Sequence, residues 1–257
     1  MEQVVHFLNR VGEKIAGTLH LPDRPTDWGV ILGHCFTCSR HTGILREICR
    51  ELVGEGIAGL RFDFSGNGQS EGDFADSSYT KHIGEMKLAA AFLKEKGISR
   101  FGAGGHSMGA AISVLAASDM KNMAGVCALA GRIGGADASL LFSPDQMREL
   151  EQTGRVCFIS RGRNLELTRH FFLDMRQYDL LQTIQGMKPR LMVVHGDQDE
   201  IIPVENAYEA RQARPGTELM IIPGADHMFS SPDHRARIAR AVAKWFAGVF
   251  RSDSEVK

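Results

Sequence analysis

The stretch that most constrains this chain is the pentapeptide Gly105-His106-Ser107-Met108-Gly109. A short apolar run, Phe101-Gly102-Ala103, precedes it, and a helix-forming run, Ala110 to Ala117, follows. A serine with glycine two residues to either side, between a strand and a helix, implies a sharp turn. The glycines carry no side chain to obstruct it, so backbone and helix can approach closely. The turn predicts an exposed Ser107 hydroxyl at a helix start. Free N–H groups and the helix dipole there favour negative charge, such as the oxyanion formed when an ester or amide carbonyl is attacked.

Two later segments extend this reading. The apolar run Leu191 to Val194 leads into a polar loop, His195-Gly196-Asp197-Gln198-Asp199-Glu200, which closes at Ile201-Ile202-Pro203. A second apolar run, Leu219 to Ile222, leads through Pro223-Gly224-Ala225-Asp226 to His227. Serine, aspartate and histidine thus follow one another, each just past a strand. This is the chain order of the α/β-hydrolase triad. Ligands of open α/β sheets bind beyond the carboxyl ends of the strands, so the three can converge. Ser107 is then the nucleophile, His227 the general base and acid, and Asp199 the group that orients the imidazole. Asp197 competes for the last role. Asp199 is preferred because it lies later in the loop, beside the Ile201-Ile202-Pro203 turn. Asp226, adjacent to His227, is read as a loop cap.

The resemblance becomes specific over several motifs. They are His34-Cys35-Phe36-Thr37-Cys38-Ser39-Arg40, the run Arg61-Phe62-Asp63-Phe64-Ser65-Gly66-Asn67-Gly68-Gln69-Ser70-Glu71-Gly72, the Ser107 turn, and the Asp199 and His227 loops. Together they make the chain resemble α/β-hydrolases of the serine aminopeptidase-like S33 group, most of all its feruloyl/cinnamoyl esterase-like branch. The H-C-F-T-C string also resembles the hydrolase part of bacterial proteins fused to an OsmC-like redox domain. The resemblance implies an α/β-hydrolase fold, with a mostly parallel sheet, helices on both faces and a small inserted cap. It also implies that the backbone N–H groups of Phe36 and Met108 form the oxyanion hole. Cys35 stands where the family pattern has glycine.

Strand and helix patterns alternate. Val4–Leu8 and Ile15–Leu21 read as an antiparallel pair, followed by strands at Trp28–Gly33 and Ile57–Phe62, helices around Ile44–Val53 and Tyr79–Lys96, and a strand at Val126–Ala130. Such alternation argues for a mostly parallel sheet covered on both sides. The predicted core is 1–130 plus 184–257, with 131–183 as the cap insertion. The insertion holds a helix from Pro144 to Leu150, a hairpin turning at Arg161-Gly162-Arg163-Asn164, and an amphipathic piece from His170 to Met175. Its arginines are expected to be matched by nearby acids; the sharper alternative is that one meets an anionic substrate. A final helix carries Ile238, Val242, Trp245, Phe246 and Val249 on one face, and Ser252 to Lys257 is expected to fray.

Thirty basic residues face 31 acidic ones, for a net charge of −1, and no basic stripe suggests nucleic acid. No run is apolar enough to span a bilayer, and the first ten residues do not read as a signal peptide. Five cysteines without a disulfide-rich pattern suit a reducing cytoplasm. Cys35 and Cys38 form C-x-x-C on the Phe36 loop. They are expected to be packing residues, with a redox gate as the alternative. His34 is expected to brace that loop. Gly66, Gly68 and Gly72 are read as a turn at the site's rim, since no P-loop ending follows. Ten histidines show no zinc-ligand spacing, and neither metal nor cofactor is expected. The expected activity is hydrolysis of small-molecule carboxylic esters through an acyl-enzyme. An amidase or peptidase with the same triad, and a slow-turnover binding or sensor protein on this fold, are the alternatives. Oligomeric state is left open by the sequence.

Overall fold

The computed structural model describes residues 1–134 and 142–255; residues 135–141 of the predicted insertion lie outside them. The chain opens with an antiparallel pair, β1 (Glu2–Leu8) and β2 (Lys14–His20), with Val5 opposite Gly17. It then alternates: β3 (Trp28–Gly33), α1 (Gly43–Gly54), β4 (Ala58–Phe62), α2 (Tyr79–Glu95), β5 (Arg100–His106), α3 (Met108–Ala117) and β6 (Met123–Leu129). After an interruption the rhythm resumes with β9 (Arg190–Gly196), α7 (Glu205–Ala213), β10 (Glu218–Ile222) and α8 (Pro232–Glu255). The strands form one sheet in the order β1-β2-β4-β3-β5-β6-β9-β10. β1, β2 and β4 pair antiparallel, and every pairing from β4 to β10 is parallel.

Alternate residues of the central strands face opposite layers, as the period of two requires. Val30 and Leu32, Cys127 and Leu129, and Met192 and Val194 pack with α1 and α8. Ile31, Val126, Ala128, Leu191 and Val193 pack with α2, α3 and α7. Both faces of the sheet are thereby buried, which is why these strands read as nearly continuous apolar runs. Local signals set the helix ends. The Ser78 hydroxyl accepts from Lys81 N at 3.1 Å to start α2, and Gly97, in the left-handed region, follows its end.

The interruption between β6 and β9 contains α4 (Pro144–Thr153), a separate hairpin of β7 (Arg155–Ser160) and β8 (Arg163–Thr168), α5 (Arg169–Met175) and α6 (Leu180–Gly186). A full capping box starts α4, with the Ser143 and Gln146 side chains each bonding the other's backbone N–H. Two features depart from the sequence expectations. α6, started by the Asp179 side chain accepting from Gln182 N at 2.9 Å, has no counterpart in the predicted elements. The tail expected to fray is helical as far as Glu255, where α8 ends, and residues 256–257 lie outside the described residues. The Ser252 hydroxyl bonds the Gly248 carbonyl at 3.1 Å, so this polar residue is accommodated inside the helix. No helix among the described residues is long and apolar enough to cross a membrane.

Candidate active site

Ser107 sits between β5 and α3 at the middle of the sheet, with φ +56° and ψ −115°. A positive φ at a non-glycine residue is a strained conformation. The turn is tight enough to explain both of its glycines. A side chain on Gly105 would come within 2.4 Å of the Gly109 backbone, and one on Gly109 within 2.3 Å of the Gly33 carbonyl. The Ser107 N–H donates to the Leu129 carbonyl at 2.8 Å, tying the turn to β6.

Asp199 lies in the loop after β9, with its side chain fully buried. One carboxylate oxygen accepts from the Ile201 and Ile202 N–H groups at 2.9 and 2.8 Å. The other accepts from His227 Nδ1 at 2.8 Å and lies 3.2 Å from His195 Nε2. Burial alone would raise the pKa of this acid. The hydrogen bonds from His195, His227 and the Ile202 N–H outweigh it and hold the carboxyl well below the usual range. Asp197 is exposed and accepts from Gly224 N at 2.7 Å, so it joins the two loops without bonding the histidine. Asp226 accepts from Ser230 N at 2.7 Å, as a loop cap would.

Because a carboxylate only accepts, His227 Nδ1 must carry the proton in this bond. Its backbone is held as well: His106 Nε2 lies 2.7 Å from the His227 carbonyl and must donate to it. Burial lowers the His106 pKa to about 3, which keeps this strut neutral. His106 and His195 are site residues that sequence reasoning missed. The only available signal was a histidine at the end of an otherwise apolar strand.

Ser107 and His227 line one cavity of about 460 Å³, with no hydrogen bond between their side chains. Phe36, Tyr79, Phe142, Phe158 and Phe171 wall it. Phe36 lies nearly parallel to Phe158 at 6.1 Å and 5.3 Å from Phe171, measured between ring centroids. Phe36 and Met108 also line this cavity, and neither backbone N–H bonds another described residue.

The Phe36 loop is held from several sides. Buried His34 donates through Nδ1 to the Cys35 carbonyl at 2.7 Å and accepts through Nε2 from Phe64 N at 3.0 Å. Burial lowers its pKa to about 4, consistent with that neutral bracing role. Cys35 and Cys38 are not independent packing thiols, as expected from sequence, but are joined by a disulfide. A turn in which Cys38 N donates to the Cys35 carbonyl at 3.0 Å brings their Cα atoms to 5.2 Å, within disulfide reach. Further along, buried Asp63 accepts from Arg40 N at 2.6 Å and from Gln69 N at 2.9 Å, and pairs with the Arg40 guanidinium. A side chain on Gly68 would lie 2.2 Å from the Asp63 carboxylate. The glycine-rich run therefore buttresses the loop.

The β7–β8 hairpin closes over this loop. Ser160 and Thr37 hydroxyls lie 2.8 Å apart, and Arg163 Nη2 donates to the Thr37 carbonyl at 3.1 Å and Asn67 Oδ1 at 3.2 Å. The expectation that acids match the insertion's arginines holds for Arg155 with Glu166 and Arg148 with Asp145. It fails for Arg169, which bonds the Leu150 and Glu151 carbonyls, and at the hairpin tip. Arg161 contacts the Met228 sulfur at 3.8 Å, and neither Arg161 nor Arg163 has a carboxylate partner among the described residues. No group of three or more His, Cys, Asp or Glu among those residues could hold a metal ion.

A family model described as serine aminopeptidase, S33, matches residues 27–170. The esterase domain of a Rhodothermus marinus protein superposes with a TM-score of 0.74 at 25% identity, covering 96% of this chain and 98% of that one. Est1E from Butyrivibrio proteoclasticus, with ferulic acid bound, gives 0.82 at 21% identity, covering 96% and 99%. A curated relative is the dihydrolipoyllysine-residue acetyltransferase component of the acetoin cleaving system of Cupriavidus necator, 27% identical over 200 residues. That match takes in 66% of this chain and only about half (51%) of the relative's length.

Proposed function

The chain belongs to the serine aminopeptidase S33 family and has the α/β-hydrolase fold, and on that premise we propose that this hydrolase cleaves carboxylic esters of small molecules through an acyl-enzyme. One observation carries the reading. Buried Asp199 bonds His227 Nδ1, and His227 shares with strained Ser107 a cavity walled by aromatic rings. With Nδ1 protonated, His227 presents the lone pair of Nε2, the atom that takes a proton from a serine hydroxyl in this chemistry.

In the proposed reaction Ser107 Oγ attacks the ester carbonyl as His227 Nε2 accepts its proton. Asp199 stabilises the imidazolium. The carbonyl oxygen, now negative, receives the N–H groups of Phe36 and Met108, which have no other partner among the described residues. Removing one such donor costs about 3–4 kcal/mol in known hydrolases. His227 then protonates the departing alcohol, and water releases the acid by the same steps in reverse. We assign residues 131–183 the role of a cap: Phe142, Phe158 and Phe171 come from this segment, suit an apolar or aromatic acyl group and exclude water.

An amidase or peptidase would use the same residues and differ only in the leaving group, and a slow-turnover sensor would stop at the acyl-enzyme. Profiling aryl, alkyl and aminoacyl esters against the matching amides, with a fluorophosphonate probe, separates these. Ester turnover with labelling at Ser107 is expected. Labelling elsewhere, or amide turnover exceeding ester turnover, overturns the reading. A burst without turnover assigns the sensor role.

A further inference from the structure

A second cavity of about 490 Å³ adjoins the first. The two share Thr37, Cys38, Arg161 and Met228 as walls, and Ser107 lines the first. Their chemistry differs. The first is walled mainly by aromatic and aliphatic side chains, though Arg132 and Arg161 also line it; the second has no phenylalanine or tyrosine and is lined by hydroxyls, His41 and the guanidinium groups of Arg161 and Arg163, with no carboxylate.

Three observations indicate what it accommodates. Met228, which follows His227 in the chain, walls both cavities, and His227 lines the first. In ester cleavage by a serine triad the alcohol leaves toward the histidine that protonates it. Neither Arg161 nor Arg163 has a carboxylate partner among the described residues, whereas Arg155 and Arg148 in the same segment do and Arg169 bonds the Leu150 and Glu151 carbonyls. Finally, Arg161 occupies a costly position. Arg161 and Gly162 form the hairpin's two-residue turn with φ of +51° and +74°, a conformation that favours asparagine, aspartate or glycine at the first residue. Backbone strain retained at such a side chain points toward a use for it.

From these observations we propose that the second cavity binds an oxyanion, a carboxylate or phosphate, carried on the alcohol portion of the substrate, with Arg161 and Arg163 as its ligands. This names the substrate class within the esterase reading and rests on it. The acyl group is apolar and sits among the phenylalanines. The alcohol is anionic and leaves past His227. Arg163 keeps the loop in register through Thr37 while its remaining N–H groups stay available, and Arg161 has only a thioether to surrender.

The test uses one aromatic acyl group on four alcohols: ethanol, glycolate, 2-hydroxyethyl phosphate and choline. For the full-length protein, kcat/KM for one or both anionic esters should exceed that of the ethyl ester by roughly tenfold or more, the effect of one charge-assisted hydrogen bond. The choline ester should be the poorest. Comparing the glycolate and phosphate esters identifies the oxyanion. The anionic-to-ethyl ratio should fall toward one in Arg161→Gln and in Arg163→Gln, and partly recover in Arg161→Lys. Binding of the intact esters to Ser107→Ala supplies a second readout that needs no turnover. It should show the same ranking, lost when Arg161→Gln is added. If the esters are cleaved but the four rank by leaving-group chemistry alone, or the ratio survives both glutamine variants, the proposal is overturned and the esterase reading stands. If no ester is cleaved and Ser107 takes no fluorophosphonate, the esterase reading fails. Equal binding of all four esters by Ser107→Ala overturns the oxyanion site independently.

Discussion

The two sides of the candidate site are held in different ways. On the acid side, Asp199 and His227 lie in the loops that follow β9 and β10, and both Asp199 carboxylate oxygens, His227 Nδ1 and the His227 carbonyl are committed to named partners. On the oxyanion side, Phe36 belongs to a loop held indirectly by His34 beneath, the Asp63–Arg40 pair behind, a disulfide within and the hairpin above. The first arrangement fixes charges and protons. The second fixes the place of one backbone N–H. Damage on the acid side should therefore remove chemistry, whereas damage on the oxyanion side should loosen positioning.

The largest effect tests the junction of the two sides. Ser107→Ala should lower kcat roughly a millionfold, as loss of a triad serine does in a model hydrolase. Rates that remain within tenfold of the parent would mean that the strained turn serves some other purpose. Next comes the acid side alone. Asp199→Asn should lower kcat roughly ten-thousandfold, because the amide can present a donor to Nδ1 and favour the wrong tautomer. Asp197→Asn should do far less, since the Asp197 carboxylate bonds Gly224 N and not the histidine. The reverse ranking would move the acid role to Asp197 and dissolve the contrast between the sides.

Both sides share one device, a buried neutral imidazole. Burial lowers the pKa of His106 to about 3, His34 to about 4 and His20 to about 4. His82, stacked on Phe64, falls to about 3 for the same reason. The sign follows from proton counting. Between these values and the ordinary 6.5, the unfolded chain binds protons that the folded chain does not, so acid favours unfolding. Stability should be level above about pH 7 and fall as pH drops through 6.5 toward 4, by up to about 1.4 kcal/mol per pH unit for each such histidine. Denaturant titrations across this range check it. His106→Gln and His34→Gln should each flatten the slope, and a slope unchanged in both would remove the shared device.

How much of this was legible in the sequence also divides along the two sides. Ser107, Asp199 and His227 could be read because each follows a strand whose apolar run announces itself, and the structure brings Asp199 and His227 into contact. The Phe36 N–H could be located only through resemblance, since a backbone donor leaves no residue signature. His106 was hidden for the opposite reason: it stands inside the most visible motif, but its partner, the His227 carbonyl, is 121 residues away. That Arg161 and Arg163 have no carboxylate partner among the described residues is likewise tertiary. Local spacing offered acids, but Glu166 pairs with Arg155 across the hairpin and Asp145 with Arg148 within α4. α6 was missed because its short apolar pattern, Leu180-Leu181 and Ile184, spans too little chain to establish a helical period.

The smallest expected effect probes the oxyanion side by itself. The Cys35–Cys38 bridge encloses Phe36 and Thr37, so breaking it frees the segment that carries the candidate donor. A loop this short loses little entropy when closed, and the chain-entropy relation gives about 2 kcal/mol of stability. Activity should also respond modestly. His34 still holds the Cys35 carbonyl and Arg163 still holds the Thr37 carbonyl, so the loop has lost one of several restraints. A positional shift of about an ångström would cost roughly a hundredfold, and the remaining contacts should keep the loss well below that. Reduction of the parent with a small dithiol, verified by thiol counting, should therefore lower the esterase rate severalfold and reversibly. Cys38→Ser should match the reduced parent and ignore reductant. A rate that rises on reduction would show that the bridge restrains the loop away from its working position and make this side of the site a redox gate. A rate unchanged after verified cleavage would assign the positioning of Phe36 to His34 and the hairpin alone.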